Sequence, residues 1–430
     1  MVFHHRGTLT QEPPLSAASL RLIVVASTFP LRRGDGTPGF VWDLAEQEAR
    51  HFQTVVLVPR IRGAPLRERV GQLEIRRFRY FPGRWEDLAD GAILENLRAR
   101  RGAWLQVLPF LLAEWVELRR LVRRFHPDVL HVHWIVPQGI VASLAAPRTP
   151  QVLTTLGGDV YALQGRLAAA LKRFVLRRAA AVTVMNEDMR GRLVNLGGDP
   201  TTTLVVPMGA DVAAVGAAVA GAVRQPGRML FAGRMVEKKG AIVLIEALRD
   251  VGPELGWSLD LVGDGPLRGR LQTAAAGLAG PTRFRGVLDR TALARAMGEC
   301  EIFVLPSTPA ASGDQDGLPV VLLEAMAAGC AIVASRLPGI DEVLTDGQTG
   351  LLVPPRDPGA LRAALVRLLD DPPLRVRLGA AAAAAVQAYS VQAVGERYAE
   401  LLAHVAGAAT EPSGRAAGGT PHASDTIRPR

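Results

Sequence analysis

Short apolar, β-branched runs alternate with longer segments of helical periodicity along most of the chain. In the first half, strands are predicted at residues 22–26, 54–58, 129–133, 151–155 and 181–184. Each is a nearly continuous apolar run, which is typical of parallel strands that helices cover on both faces. The pattern therefore predicts strand–helix–strand units rather than a sandwich of antiparallel strands.

The same alternation restarts after a loop at residues 206–227. Further strands are predicted at residues 228–232, 258–262, 302–305 and 331–334. Two successive arrays of this kind predict an α/β protein with two doubly wound domains, at residues 20–211 and 228–392.

The connecting and terminal segments differ from these arrays in composition. Residues 212–227 are rich in Ala, Gly and Val and would form either a flexible linker or a weak helix between the domains. Residues 1–19 are expected to be a flexible tail. Residues 407–430, rich in Gly, Ala, Pro, Ser and Thr, are expected to be a disordered tail.

Composition and charge narrow the choice of partners. The 430 residues are 48% hydrophobic and 21% charged, as in ordinary globular proteins, and the two cysteines are typical of a reducing cytosol. Residues 1–207 contain 28 Lys or Arg against 18 Asp or Glu, whereas residues 208–430 contain 22 against 23. The basic half predicts either an anionic partner, such as a phospholipid surface, or a solvated Arg-rich surface. No nucleic-acid recognition motif is present, so we expect no nucleic-acid partner.

Membrane contact is the second question that the composition raises. The longest apolar stretch, residues 104–116, is interrupted by Gln106, Pro109 and Glu114, and no secretory signal is recognised, so we expect a cytoplasmic protein. Residues 98–124 place Trp and Leu near helical spacing between clusters of Arg. They predict either an amphipathic helix that lies on the inner face of an anionic membrane or a helix packed on the sheet.

Two of the chain's three lysines, Lys238 and Lys239, stand side by side just after a predicted strand. Nearly all other basic residues are Arg, so this pair indicates a specific geometric role. The pair follows Arg234 and precedes Gly240, in a strand-to-helix turn where compact cations suit a diphosphate. The alternative is a solvated start of a helix.

Residues 312–329 combine a Gly-rich turn with an apolar helix that contains one carboxylate. Asp316 lies in the turn, Pro319 stands where the helix would begin, and Glu324 falls inside the apolar run. Asp316 and Glu324 are about 80° apart on a helical wheel, so both can face one cavity. The pattern predicts either carboxylates that bind the hydroxyls of a sugar and a ribose beside a phosphate, or a buried salt bridge.

Asp314 and Asp316 also spell Asp-x-Asp, a string that can hold a divalent metal. It precedes a helix whose N-terminus already favours anions, and Arg234 and Lys239 supply cations nearby. We therefore expect no metal.

A second Gly-rich loop, residues 28–39, follows the first strand. Gly34, Gly36 and Gly39 allow a close backbone approach to a ligand just before a helix N-terminus, although ordinary turns have the same composition.

Together these motifs resemble the family 4 retaining glycosyltransferases of the GT-B fold. The resemblance spans about residues 20–405 and is carried by residues 131–134, 137–139, 206–211, 231–240, 261–266, 316–324, 338–343 and 350–353. It implies two Rossmann-like domains facing across a cleft, with a nucleotide sugar in the second and a glycan or lipid-linked acceptor in the first. A last helix, residues 393–406, would cross back to the first domain.

The resemblance also implies roles for single residues. Arg234 and Lys239 would bind the donor diphosphate and stabilise the departing charge without a metal or other cofactor. Glu324 would contact the ribose and Asp316 the transferred sugar. Further donor contacts would come from Gly39, Gly233, Gly317, Leu318 and Pro319.

Two positions depart from the family pattern. The first acidic position is usually Glu and is Asp316 here, and Leu156 stands where many relatives carry His. His133 and Asp159 are the candidate contacts to the sugar or acceptor, and the alternative for His133 is a structural strand-end His. The departures bear on sugar identity and rate more than on reaction class.

The expected function is a retaining, metal-independent transfer of one sugar from a nucleotide-diphosphate sugar to a hydroxyl of a glycan, lipid-linked glycan or other acceptor. Two alternatives stay open at this point. One is a nucleotide-sugar epimerase on the same fold, and the other is a catalytically silent member that binds a nucleotide sugar.

Overall fold

A computed structural model of the chain describes residues 20–32, 39–90, 93, 96–97, 100–162 and 164–408. The expected tail at residues 1–19 and residues 409–430 of the tail expected at 407–430, together with Gly34 and Gly36, lie outside these ranges. Within them, two largely parallel sheets and their covering helices form two domains. The prediction of an α/β protein with two Rossmann-like domains is confirmed.

Eight strands form the sheet of the first domain, in the order β3-β4-β2-β1-β5-β6-β7-β8. Every described neighbouring pair is parallel except β3 with β4. The strands are β1 (Arg21–Val25), β2 (Gln53–Pro59), β3 (Arg67–Val70), β4 (Leu73–Phe78), β5 (Val129–His133), β6 (Gln151–Thr154), β7 (Ala181–Val184) and β8 (Thr203–Val205).

Helices accompany the strands of this sheet along the chain. They are α1 (Phe40–Glu48), α2 (Trp104–Phe125), α3 (Ile140–Ala145), α4 (Gly158–Tyr161), α5 (Arg166–Leu176) and α6 (Glu187–Leu196). The start of α6 is fixed by Asn186, whose side chain accepts a hydrogen bond from the Met189 backbone N–H at 2.8 Å. Its end is fixed by Gly197, which adopts a φ of 110°.

The second domain has a parallel sheet of six strands in the order β11-β10-β9-β12-β13-β14. The strands are β9 (Arg228–Ala232), β10 (Ser258–Val262), β11 (Thr282–Gly286), β12 (Ile302–Leu305), β13 (Ala331–Ser335) and β14 (Leu351–Val353). The remaining helices are α7 (Val212–Val219), α8 (Ala241–Leu248), α9 (Arg268–Ala275), α10 (Arg290–Glu299), α11 (Val320–Ala327), α12 (Ile340–Val343), α13 (Pro358–Asp370), α14 (Pro372–Ala385) and α15 (Val391–Ala408). None of the helices within the described ranges is long and apolar enough to span a membrane.

Two described segments outside the two arrays contain helices. Residues 212–227 contain α7, which packs against α10 and α11 of the second domain. Helix α15 packs on α1 of the first domain, so closely that a Cβ on Gly395 would lie 2.5 Å from the Gln47 Cβ. Gly407 and Ala408, expected in the tail, belong to α15.

The chain passes between the domains at two places that lie side by side. The Ala210 N–H donates to the Tyr389 carbonyl at 3.0 Å, and the Val391 N–H donates to the Ala210 carbonyl at 2.8 Å. A Cβ on Gly209 would lie 2.8 Å from the Val391 Cα, so only glycine fits this close approach. The two crossings are thus hydrogen-bonded to each other.

A buried network of hydrogen-bonded polar side chains holds α15 against the first domain. Glu48 Oε1 lies 2.5 Å from His131 Nδ1, and His131 Nε2 lies 2.7 Å from the Thr154 hydroxyl. Thr154 bonds Thr183 at 2.7 Å, and Thr183 bonds the Tyr398 hydroxyl at 3.0 Å. Burial lowers the pKa of His131 to about 3 and raises the pKa of Glu48 well above its usual value. This hydrogen-bond network therefore joins α1, three strands and α15.

Candidate active site

A cavity of about 1410 Å³ lies between the two domains. Residues just beyond the ends of β1, β9 and β10 line it, including Thr28, Gly233 and Gly263. Ligands of open α/β sheets bind at the carboxyl ends of the strands, so this cavity is the candidate site.

The turn after β9 places the lysine pair at the cavity. Glu237–Lys239 form one 3₁₀ turn that ends at Gly240, which has a φ of 65°. A Cβ on Gly240 would lie 1.7 Å from the Pro306 carbonyl oxygen, so the turn packs against the end of β12 only with glycine. Gly233, Lys238 and Lys239 line the cavity, as does the exposed Arg234.

The two lysines pair with the two aspartates of the 312–319 loop. Lys239 Nζ lies 2.5 Å from Asp316 Oδ2, and Lys238 Nζ lies 3.2 Å from carboxylate oxygens of both Asp314 and Asp316. Burial acts to raise the pKa of Asp316, but the charges of Lys239 and Lys238 outweigh it and hold this pKa well below its usual range. The cluster thus brings two lysines and two aspartates together beside the cavity.

Helix α11 presents its first turn and one carboxylate to the cavity. Leu318 and Pro319 line the cavity just before the helix begins, and Glu324 lies one turn into it. The Glu324 side chain is 16% exposed. Burial raises its pKa to about 7; the charge of Arg290 opposes this shift, and those of Asp43 and Asp211 add to it.

Arg290 connects the two domains beside Glu324. Its Nη1 lies 2.8 Å from Asp43 Oδ2 on α1, and its Nε lies 4.0 Å from Glu324 Oε1. Gly39, which precedes α1, also lines the cavity, and a Cβ built there would lie 3.9 Å from Arg290 Nη1. The predicted donor residues Gly39 and Glu324 are thus brought together across the cleft.

Gly317 lies at a second contact between the domains. A Cβ on Gly317 would lie 2.8 Å from the Met185 side chain, and a Cβ on Gly157 would lie 2.6 Å from the Gly317 N. The Asn186 amide, which also caps α6, donates to the Gly317 carbonyl at 2.7 Å. Gly317 therefore packs against the first domain and is not among the residues that line the cavity.

The candidate contacts from the first domain have different surroundings. Asp159 and Leu156 line the cavity, and the Asp159 carboxylate accepts the backbone N–H groups of Ile135 at 2.9 Å and Leu156 at 3.3 Å. The pKa of Asp159 is raised by burial against these hydrogen bonds. Its carboxylate therefore holds two loops of the cavity wall.

His133, the other candidate contact to the sugar or acceptor, lies in the interior of the first domain. His133 is fully buried and does not line the cavity. It shares a strand face with His131, and the two rings lie 4.3 Å apart. His131 in turn stacks on Tyr398, so this face of β5 turns toward α15 and away from the cleft.

Three residues at the site were missed by the sequence reasoning: Arg290, Asp43 and Asn186. Asn186 carried a usable signal, since an Asn between a strand and a helix is a preferred N-cap. Arg290 and Asp43 carried none, because their pairing depends on the domain arrangement. No group of three or more His, Cys, Asp or Glu that could hold a metal is found among the described residues.

Comparisons with known proteins agree with this architecture. A family model described as "Glycosyl transferase 4-like domain" matches residues 36–209, and one described as "Glycosyl transferases group 1" matches residues 226–371. The phosphatidyl-myo-inositol mannosyltransferase of Mycolicibacterium smegmatis is 33% identical over 293 residues, which are 65% of this chain and 72% of that relative. With other curated relatives the match spans 44 to 64% of their length.

Solved structures share the fold across nearly the whole chain. Sucrose-phosphate synthase from Thermosynechococcus elongatus superposes with a TM-score of 0.71 at 20% identity, covering 90% of this chain and 100% of that one. Anabaena HepE in complex with UDP-glucose superposes with a TM-score of 0.67 at 17% identity, with 90% and 100% covered. The family models, the mannosyltransferase relative and the two-domain fold show that the chain belongs to the family 4 glycosyltransferases of the GT-B fold.

Proposed function

We propose that the chain is a retaining glycosyltransferase that moves a sugar from a nucleotide-diphosphate sugar to an acceptor hydroxyl. The observation that carries the proposal is the convergence of Arg234, Lys239, Asp316 and Glu324 on one cavity at the strand ends. Cations suit a diphosphate, and a buried carboxylate suits ribose hydroxyls. Family membership supports the reaction class, and the UDP-glucose bound to Anabaena HepE supports this type of donor.

The chemistry requires that negative charge be stabilised on the leaving group. The bond between the anomeric carbon and the diphosphate oxygen breaks, the acceptor oxygen bonds to the same face of the sugar, and the acceptor proton passes to a phosphate oxygen. Arg234 and Lys239 stabilise the charge that develops on the diphosphate. A diphosphate at the turn competes with Asp316 for Lys239, which frees an Asp316 oxygen for a sugar hydroxyl.

The proposed reaction uses no metal or other cofactor. Lys238 and Lys239 occupy the carboxylates of Asp314 and Asp316, the pair that would otherwise attract a divalent ion. The same cations supply the charge stabilisation that a metal would provide. Gly39, Gly233 and the backbone of Leu318 and Pro319 complete the proposed donor contacts.

The test is thermal stabilisation by a panel of nucleotide sugars, with and without EDTA. Ligand at 100 times its Kd stabilises the folded state by about 2.7 kcal/mol, which raises the melting temperature by several degrees. We expect a shift that is selective for one nucleotide and insensitive to EDTA. A shift that EDTA abolishes would overturn metal independence, and no shift with any donor would overturn the donor site.

A second candidate function is a catalytically silent member that binds a nucleotide sugar. It is favoured by Leu156, an apolar side chain lining the cavity where many relatives carry His. Donor binding without turnover across a broad acceptor panel would support it. The other alternative, an epimerase, is identified by product analysis without acceptor, because that enzyme would isomerise the nucleotide sugar.

The proposal includes a peripheral position on the cytoplasmic face of an anionic membrane. Helix α2 exposes Trp104 by 62%, Leu105 by 74% and Leu108 by 64%. Arg123 and Arg124 are exposed at its other end. An apolar face flanked by Arg suits an anionic leaflet.

Co-sedimentation with vesicles tests this position. We expect binding to vesicles that contain phosphatidylglycerol, little binding to phosphatidylcholine alone, and loss of binding in Leu105→Gln/Leu108→Gln. The matched control is Leu167→Gln, on α5, which removes an equally exposed leucine outside α2. Binding that the double variant retains would contradict the proposed membrane face.

A further inference from the structure

The two walls of the cavity differ in chemistry. Among the described residues, the wall from the second domain contributes eight charged side chains, whereas the wall from the first domain contributes two, Asp43 and Asp159. Both of these are engaged: Asp43 pairs with Arg290, and Asp159 accepts two backbone N–H groups. The first-domain wall therefore offers few groups that could bind the hydroxyls of a second sugar.

Apolar side chains make up most of that wall. Helix α2 contributes Leu111, Leu112 and Trp115, and the segment after β5 contributes Ile140 and Leu144. Leu112 is 54% exposed, Trp115 36% and Leu144 53%, although each lines the cavity. Large apolar side chains left exposed together at the mouth of a cavity mark a binding surface.

The cavity is also large for one ligand. Its volume of about 1410 Å³ exceeds the range of about 300–1,000 Å³ that is usual for a small-molecule site. The charged residues that suit a donor lie on the second-domain wall. The apolar wall therefore bounds space that a second ligand can occupy.

We propose that this apolar wall binds the hydrocarbon chain of a lipid acceptor, whose hydroxyl then lies at the donor sugar. The inference rests on the proposed function and names its acceptor class. A peptide would bring backbone N–H and C=O groups that need hydrogen-bond partners, and a glycan would bring hydroxyls with the same need, whereas a hydrocarbon chain has none. The apolar wall and the proposed donor residues line the same cavity. A hydrocarbon chain on the wall would therefore hold its hydroxyl close to the donor sugar.

The experiment measures binding of hexyl, octyl and decyl glucoside, each below its micelle concentration, by calorimetry. Each methylene that enters an apolar site strengthens binding by up to about fourfold, so the Kd should fall steadily from hexyl to decyl. Leu112→Gln/Leu144→Gln should weaken octyl glucoside binding by about tenfold or more and flatten the dependence on chain length. Leu167→Gln, 75% exposed on α5 and outside the cavity lining, is the matched control and should bind like the unmodified chain.

The outcomes separate this inference from the proposed function. A Kd that does not change with chain length, or an equal loss in Leu167→Gln, overturns the lipid-chain site. A dimer in sedimentation that Leu112→Gln/Leu144→Gln dissociates also overturns it, because a second copy would then cover the wall. In each case a retained thermal shift with a nucleotide sugar leaves the donor site standing, whereas loss of that shift in the unmodified chain overturns the proposed function itself.

Discussion

Binding of the nucleotide sugar should depend on pH through Glu324. Burial raises the pKa of this carboxyl to about 7. In the proposed function the ionised carboxylate accepts hydrogen bonds from ribose hydroxyls, and a proton on it removes that capacity. The proton and the nucleotide sugar therefore compete for the Glu324 carboxylate. Glu324→Gln removes this competition.

The size of the effect follows from the pKa. A carboxyl with a pKa of about 7 is ionised to roughly 9% at pH 6 and roughly 91% at pH 8. If only the ionised form binds, the apparent Kd should rise about tenfold from pH 8 to pH 6, or about 1.4 kcal/mol. The folded state also holds this proton more tightly than the unfolded chain, so this group lowers the free energy of unfolding as pH rises from 4.5 through 7.

Calorimetric titration at pH 6, 7 and 8 measures the dependence directly. The ligand should be the nucleotide sugar rather than the free diphosphate, because a terminal phosphate itself titrates near pH 6. Glu324→Gln should bind more weakly at pH 8 and show a flat profile. Glu342→Gln is the matched control, since burial also raises the pKa of Glu342 but its carboxylate accepts the Glu187 N–H outside the cavity. A profile that is flat within twofold in the unmodified chain, or a tenfold change that survives in Glu324→Gln, would refute the reasoning.

Three further changes test the site and its support. Lys239→Ala should abolish sugar transfer while leaving circular dichroism and the melting transition intact, since the side chain lies at the cavity; unchanged turnover would contradict its role. Asn186→Ala should lower the free energy of unfolding by about 2 kcal/mol in urea titration, because it removes both a helix cap and the bond to the Gly317 carbonyl, whereas Asn186→Asp should keep the cap and recover about half of the loss. Tyr398→Phe should lower the free energy of unfolding by about 1–2 kcal/mol through the lost hydrogen bond to Thr183. An unchanged urea midpoint would show that the buried hydrogen-bond network does not stabilise α15.

The features that could be predicted from the sequence are local ones. Residues 22–26 and 228–232 are largely apolar runs long enough to specify buried parallel strands, and the structure has strands at Arg21–Val25 and Arg228–Ala232. The lysine pair needed only its position after a strand, because strand ends converge in such folds. Strand β3, with the sequence Arg-Glu-Arg-Val, was missed because it has no apolar run and pairs at the sheet edge.

Features that depend on distant pairing could not be predicted. Arg290 and Asp43 are 247 positions apart, and Asn186 and Gly317 are 131 apart. The surroundings of His133 could not be predicted for the same reason. Alternation along β5 puts His131 and His133 on one face, but only the packing of α15 decides that this face is the one turned away from the cleft.

The paired crossings have a consequence for engineering this enzyme class. The chain leaves the first domain near Ala210 and returns to it near Ser390, so the second domain is topologically an insert within the first. Entry and exit points that lie together are the arrangement in which inserted domains are tolerated. A chimera that exchanges the second domain must therefore be joined at both crossings. A single junction would also replace α15, and the first domain would lose the helix that packs on it in this chain.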